Sequence, residues 1–351
     1  MKPQDLVRPE ILALKAYHVP DAQGMVKLDA MENPYSLPES LRAELAERLA
    51  HVDLNRYPQP SPQKLREAIA RRMDVPRGME VLLGNGSDEL IALLIQALAR
   101  PGAALMYPSP TFVMYSMGAT FNRMKAVAVP LREDFTLDAG AFIERMQAEK
   151  PALVFIAYPN NPTGVLYPEN DLVEIIKACP GLVVIDEAYH VFAGKTFIGR
   201  ISEFPNLVVI RTVSKLGLAG IRLGYLVGRP EWVAELDKVR PPYNVSVLTQ
   251  AAALFMLEKL DVLEEQAARI RSERTSLGRE LKALKGVTVF PSEANFFLIR
   301  VPDAVRTDEA LKRRNVLVKN LHPGIANGLR ITVGTPDENR ILLAALKQAL
   351  R

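Results

Sequence analysis

A lysine acts as a nucleophile only where its ammonium gives up a proton easily, and Lys215 stands in a position that can arrange this. It closes residues 207–215, LVVIRTVSK, an aliphatic run bounded by polar residues that predicts a buried strand of a parallel sheet. Ligands of open α/β sheets collect outside the carboxyl ends of such strands. Partial desolvation and nearby cations there lower a lysine's pKa and free the amine to attack carbonyls. Thr212 and Ser214 just before it and Arg222 just after it offer hydroxyls and a guanidinium to a phosphate. A ligand carrying both an aldehyde and a phosphate meets both demands, and pyridoxal 5'-phosphate is one. A lone Ser-Lys pair is more often an ordinary surface loop, so the assignment depends on what the chain places beside it.

Two further aliphatic runs end in polar side chains. Residues 153–157 lead into Tyr158-Pro159-Asn160-Asn161-Pro162-Thr163-Gly164, a rigid turn that fixes an amide at a strand end. Residues 182–185 lead into Asp186-Glu187-Ala188-Tyr189. A carboxylate there suits a protonated pyridine nitrogen; alone, Asp186 fits a metal ligand or a helix cap equally well. Upstream, Gly84-Asn85-Gly86-Ser87-Asp88-Glu89 precedes a predicted helix, so backbone N–H groups and the helix dipole could receive an anion. The spacing is neither a Walker motif nor GxGxxG. Phe112, within PSPTFVMY, is either core or a flat partner for a planar ligand.

Three strand ends carrying Asn161, Asp186 and Lys215, each followed by helix or turn, predict a parallel sheet with helical crossovers. The 351 residues predict two domains. Residues 1–40 form a proline-punctuated arm with a helical rhythm over 5–15 and a short strand over 26–30. Helices are expected over 41–50 and 63–73. A helical stretch over 246–284 then links to an α+β tail, with strands at 287–290, 296–300, 316–319 and 329–333 and a last helix from Pro336. The division expected is an arm over 1–40 packing with the smaller domain, a large domain over 41–245 and a small one over 246–351.

The apolar share of 48% and charged share of 24% are those of an ordinary soluble protein. A net charge of +4 without a basic block gives no footprint for nucleic acid. The single cysteine, Cys179, excludes an internal disulfide, and the four histidines lack ligand spacing, so no metal is expected. No apolar run reaches the length of a membrane span and the N-terminal residues lack a signal-peptide core, which predicts a cytoplasmic protein with no membrane partner.

Together Asn161-Pro162-Thr163-Gly164, Asp186-Glu187-Ala188-Tyr189, Ser214-Lys215, Arg222 and Arg330-Ile331-Thr332-Val333-Gly334 resemble the fold-type I pyridoxal-phosphate aminotransferases across nearly the whole chain. Within that family, MENPYSLP, RYP, GNGSDE, PSPTFVMY and LVKNL are most similar to the histidinol-phosphate aminotransferase branch. The resemblance implies an α/β fold: a large domain with a mostly parallel central sheet flanked by helices, plus a smaller α+β domain. It implies that Lys215 holds the cofactor covalently and shuttles a proton, that Asp186 keeps the pyridine nitrogen protonated, and that Asn161 and Tyr189 bond its phenolic oxygen. Phe112 would stack on the ring. Gly86, Ser87, Thr212, Ser214 and Arg222 would hold the phosphate, with Tyr57 reaching it from the neighbouring subunit of a homodimer.

Arg330 would grip the substrate's anionic end, with Tyr17 and Asn295 lining the pocket and Lys319 standing where many members carry a second arginine. Arg222 follows Lys215 at one residue closer than in many relatives, which predicts a tighter loop. The implied reaction is transamination between L-histidinol phosphate and 2-oxoglutarate in histidine synthesis. Alternatives on the same scaffold are an aromatic amino-acid aminotransferase and, less well matched, a threonine-phosphate decarboxylase. A non-catalytic binding protein would be expected to have lost Lys215, Asp186 or Tyr189, and all three are present.

Overall fold

The computed structural model describes residues 1–16 and 20–351, so Tyr17 lies outside the described residues. In chain order the strands are β1 (Val26–Lys27), β2 (Glu80–Asn85), β3 (Ala104–Ser109), β4 (Lys125–Pro130), β5 (Leu153–Ala157), β6 (Leu182–Asp186), β7 (Leu207–Thr212) and β8 (Leu223–Gly228). There follow β9 (Thr288–Val289), β10 (Phe296–Arg300), β11 (Val316–Leu317), β12 (Lys319–Asn320) and β13 (Gly328–Thr332). Seven form one sheet in the order β2-β8-β7-β6-β5-β3-β4, and four form a second, β12-β13-β10-β9. The large sheet is parallel except at β8, which runs antiparallel to both β2 and β7.

The central strands are apolar on both faces because both faces are covered. Val183 and Ile185 of β6 join one buried cluster with Phe197, while Leu182 and Val184 join another with Tyr115. At the edge of the sheet, the outward carbonyls of β2 are taken by side chains. Arg66 Nε donates to Val81 O at 2.7 Å and Asn244 Nδ2 to Leu83 O at 3.2 Å, which closes an edge that would otherwise invite pairing.

Several elements differ from expectation. Residues 5–15 are not one helix but short turns, Pro3–Asp5 and Pro9–Leu12, because Pro9 has no N–H to continue a helical ladder. This part of the arm docks beside the helix Val113–Phe121, through Arg8 Nη2 to Phe121 O at 2.9 Å and Glu10 to Arg123 at 3.4 Å. The predicted strand over 316–319 splits at Val318: β11 pairs in parallel with β1, and β12 pairs with β13. The helical stretch over 246–284 is two helices, Val247–Glu258 and Leu260–Lys282, separated by Lys259 (φ −112°, ψ 28°). The second helix begins on the core of the large sheet with Leu263 and ends on that of the small sheet with Ile270, Leu277 and Leu281. β4 and β8 add strands that the apolar runs did not mark.

The carboxyl end of β6 is held by a buried ion pair. Glu187, fully buried, accepts from Arg211 Nε at 2.9 Å, from Thr196 Oγ1 at 2.8 Å and from the amide of Phe197. Removing one partner of such a pair strands a charge in a low-dielectric interior. Arg211→Met is therefore expected to lower unfolding stability by about 3–5 kcal/mol, read from the urea midpoint at constant slope. A loss near zero would show that the pair does not hold the strand end.

Candidate active site

Because β5, β6 and β7 are neighbours in the sheet, Asn161, Asp186 and Lys215 emerge side by side at their carboxyl ends. They line one cleft together with Ser87, Phe112, Tyr189, Thr212, Ser214 and Arg222. The sequence had marked all of these. Met31, Asp88, Ala157 and Ala188 complete the lining and had not been marked as site residues.

Lys215 sits in a π-type turn, Ser214–Leu218, directly after β7, and its Nζ donates to the carbonyl of Ala30 at 3.0 Å. Burial, and then the positive charge of Arg330, bring its pKa down to about 8, so a substantial share of the amine is neutral near physiological pH. Asp186 is buried beneath the same cleft, and desolvation pushes its carboxyl up to about 6. Two donors oppose that effect: Tyr115 OH at 2.6 Å on Oδ2 and the amide of Ala188 at 3.1 Å on Oδ1. Tyr115 is itself fixed by a stacked contact with Phe155, ring centroids 4.6 Å apart. Tyr115 carried no signal beyond its place in PSPTFVMY, three residues after Phe112.

The polar cradle lies across from this pair. Ser214 Oγ is 2.8 Å from Thr212 Oγ1 and 3.5 Å from Arg222 Nη1. Arg222 Nη2 meets Asp88 Oδ2 at 3.2 Å. The loop between Lys215 and Arg222 closes tightly, through a 3-10 turn at Ala219–Ile221 into Arg222 with φ 51°. The helix Gly86–Leu98 begins here, and two glycines make its approach possible. A Cβ on Gly86 (φ +76°) would lie 2.7 Å from Arg222 Nη2, and one on Gly224 of β8 would lie 2.5 Å from the amide of Ser87. Backbone amides, hydroxyls and a guanidinium therefore converge in a space that no side chain fills, which suits a phosphate. A planar ring bearing an aldehyde and a phosphate fits this donor set: amine, buried carboxylate, aromatic face at Phe112, and anion cradle.

The small sheet reaches the cleft through Asn161: Arg330 is not itself among the lining residues but bonds one that is. Arg330, in β13, donates from Nη1 to Asn161 Oδ1 at 2.7 Å and from Nη2 to the carbonyl of Asp29 at 2.8 Å. Lys319 lies opposite Arg330 in the β12–β13 register and does not line the cleft. Asn295 is 1% exposed and donates instead to the carbonyl of Met31 at 3.0 Å, so it holds the cleft wall from behind. Tyr57 is 81% exposed and stacks on Tyr243, ring centroids 4.7 Å apart, away from its own chain's cleft. Among the described residues no group of acidic, histidine or cysteine side chains could hold a metal ion.

Comparison with known proteins places the chain in a family. The model of the family aminotransferase class I and II matches residues 23–346. The chain is 57% identical to histidinol-phosphate aminotransferase 2 of Burkholderia pseudomallei, with 99% of each chain covered. It is 56% identical to the enzyme of the same name from Cupriavidus pinatubonensis, covering 99% of this chain and 97% of that one. Among solved structures it is similar to histidinol-phosphate aminotransferase from Sinorhizobium meliloti in complex with pyridoxal-5'-phosphate. There the TM-score is 0.88 at 25% identity, over 99% of this chain and 98% of that one. The chain belongs to the aminotransferase class I and II family.

Proposed function

We propose that this protein transfers the amino group of L-histidinol phosphate to 2-oxoglutarate, giving imidazole acetol phosphate and glutamate, with pyridoxal 5'-phosphate as cofactor. The observation that carries this is the meeting, in one cleft, of a lysine of lowered pKa, a buried carboxylate and an anion cradle. Relatives named for this reaction, 57% identical along the whole chain, supply the substrate and favour it over an aromatic amino acid. When bound, the cofactor supplies an electron sink for the carbon that bears the amine.

The chain's own residues have distinct tasks. Lys215 Nζ holds the cofactor and moves the proton at the substrate carbon. Asp186 holds the proton on the ring nitrogen, with Tyr115 and the Ala188 amide orienting its two oxygens. Asn161 and Tyr189 bond the ring's phenolic oxygen, and Phe112 covers its face. Ser87, Thr212, Ser214 and Arg222 hold the phosphate, next to the Gly86 turn. Arg330 receives the anionic end of each substrate, a phosphate in one half-reaction and a carboxylate in the other, since a guanidinium forks onto both. Lys319, in register beside it, adds a point charge.

The working unit in this reading is a homodimer in the cytoplasm. The exposure of Tyr57, stacked on Tyr243 rather than packed in its own chain's core, supports a role for it in a second copy's cradle. Among the described residues no helix is long and apolar enough to cross a membrane.

Purified protein should change its cofactor absorption on adding L-histidinol phosphate at concentrations far below those needed with L-phenylalanine, and 2-oxoglutarate should reverse the change. An equal or stronger response to phenylalanine would move the assignment to an aromatic aminotransferase. Mixing Lys215→Ala with Tyr57→Phe chains should produce dimers with one native site; no activity beyond that of the parents would count against the shared site.

A third expectation follows from Lys215. Only the neutral amine attacks an aldehyde, so the rate of pyridoxal phosphate capture by cofactor-free protein should rise with pH and level off above about 8. Arg330→Gln removes a repelling charge and should move that midpoint upward. A rate still climbing steadily beyond pH 9.5, as for an ordinary lysine with pKa about 10.4, would contradict it.

A further inference from the structure

Met31 lines the cleft and is 8% exposed, yet its backbone has φ +55°. That left-handed conformation suits glycine or asparagine and strains a methionine. Two side chains of the small sheet's core hold it there. The Met31 amide donates to Thr332 Oγ1 at 3.0 Å, and its carbonyl accepts from Asn295 Nδ2 at 3.0 Å. The preceding carbonyls are engaged as well: Ala30 O by Lys215 Nζ at 3.0 Å and Asp29 O by Arg330 Nη2 at 2.8 Å. The side chain packs at the edge of the small sheet's buried cluster where that cluster borders the cleft, with Sδ 3.3 Å from Tyr189 OH. Strain kept at a ligand site by surrounding hydrogen bonds points to a role for the side chain it delivers.

We propose that Met31 is a specificity-determining residue whose thioether forms the wall for the substrate's uncharged heteroaromatic ring, between the amine of Lys215 and the guanidinium of Arg330. This rests on the reading of the site as an aminotransferase for histidinol phosphate. The substrate's reacting carbon must lie at Lys215 and its anionic end at Arg330, and Met31 follows directly on the two backbone carbonyls that these side chains bond. The other large apolar side chain of the lining, Phe112, is assigned to the cofactor's face, and Ala157 and Ala188 are short. A thioether is polarizable and packs well against ring edges.

The test compares Met31→Asn, which tolerates the left-handed backbone but removes the thioether, with Met31→Leu, which keeps apolar bulk. The steady-state constants of each half-reaction are measured for histidinol phosphate and for glutamate. Binding of histidinol phosphate is measured calorimetrically in a Lys215→Ala background, where no turnover occurs. Met31→Asn should lower kcat/KM for histidinol phosphate and weaken its binding by about 3- to 10-fold. The glutamate reaction should change by no more than about twofold, melting temperature should not fall, and Met31→Leu should retain most of the preference. Equal losses with both donors, or no loss in a folded Met31→Asn protein, would overturn the proposal. Wild-type protein that turns over glutamate but not histidinol phosphate would instead remove the substrate reading beneath it, and the role of Met31 would fall with it.

Discussion

Two adjacent carboxylates, Asp186 and Glu187, are buried at the end of one strand, and the rest of the site depends on how each is kept there. A strand sends successive side chains to opposite faces, so the two cannot share a partner. Glu187 goes to the face that carries Phe197, where Arg211 neutralises it and Thr196 and a backbone amide satisfy its remaining lone pairs. Asp186 goes to the face that carries Tyr115, and meets hydroxyl and amide donors but no cation among the described residues. The first carboxylate is therefore a finished structural pair. The second is left with a raised pKa, which a protonated ring nitrogen would bring down in the proposed reading of the site.

The same division of labour recurs at β5 with two adjacent asparagines. Asn160 is consumed by structure: its Oδ1 accepts from Thr111 Oγ1 at 2.7 Å and its Nδ2 donates to Pro110 O at 3.0 Å and Thr163 Oγ1 at 2.9 Å. Asn161 faces the cleft and meets Arg330. At both strand ends one residue fixes the turn and its neighbour faces the cleft. This is why the functional groups can be few and still be placed to within the tolerance that catalysis needs.

Much of this was legible in the sequence because the groups stand at the ends of short aliphatic runs, and such runs mark buried parallel strands well. Asn161, Asp186 and Lys215 were found in that way, and the cradle at Gly86, Ser87, Thr212, Ser214 and Arg222 follows from their chemistry. What escaped depended on tertiary contact. β4 alternates buried Val127 and Val129 with exposed neighbours, too short a pattern to separate from a loop. β8 continues the apolar run of β7 after a tight turn, so that only the reversal at Gly217 and Arg222 separates them. Tyr115 was hidden because a tyrosine in an apolar helix has the pattern of core; its partner lies 71 residues away. Asn295 was assigned to the cleft by resemblance alone, and its burial behind Met31 is a matter of packing between β10 and the arm.

The segment around Ala30 shows why an unremarkable stretch of turn residues can organise a site. Its backbone bonds two cations, Lys215 and Arg330; burial first, and then repulsion from Arg330, lower the lysine's pKa. Each donates to a backbone carbonyl of this segment, Lys215 to Ala30 and Arg330 to Asp29. Neutral acceptors fix the two positions, and the carboxylates that do act on the lysine, Glu32 and Asp88, are outweighed by burial and Arg330. Asn33 continues the same logic one turn on, donating to Leu216 O at 3.1 Å and Gln266 Oε1 at 2.9 Å. It thereby ties the segment to the turn that carries Lys215 and to the helix that spans both cores. A change at any of these contacts reaches the amine through backbone position, which links the small sheet to the chemistry at the end of the large one.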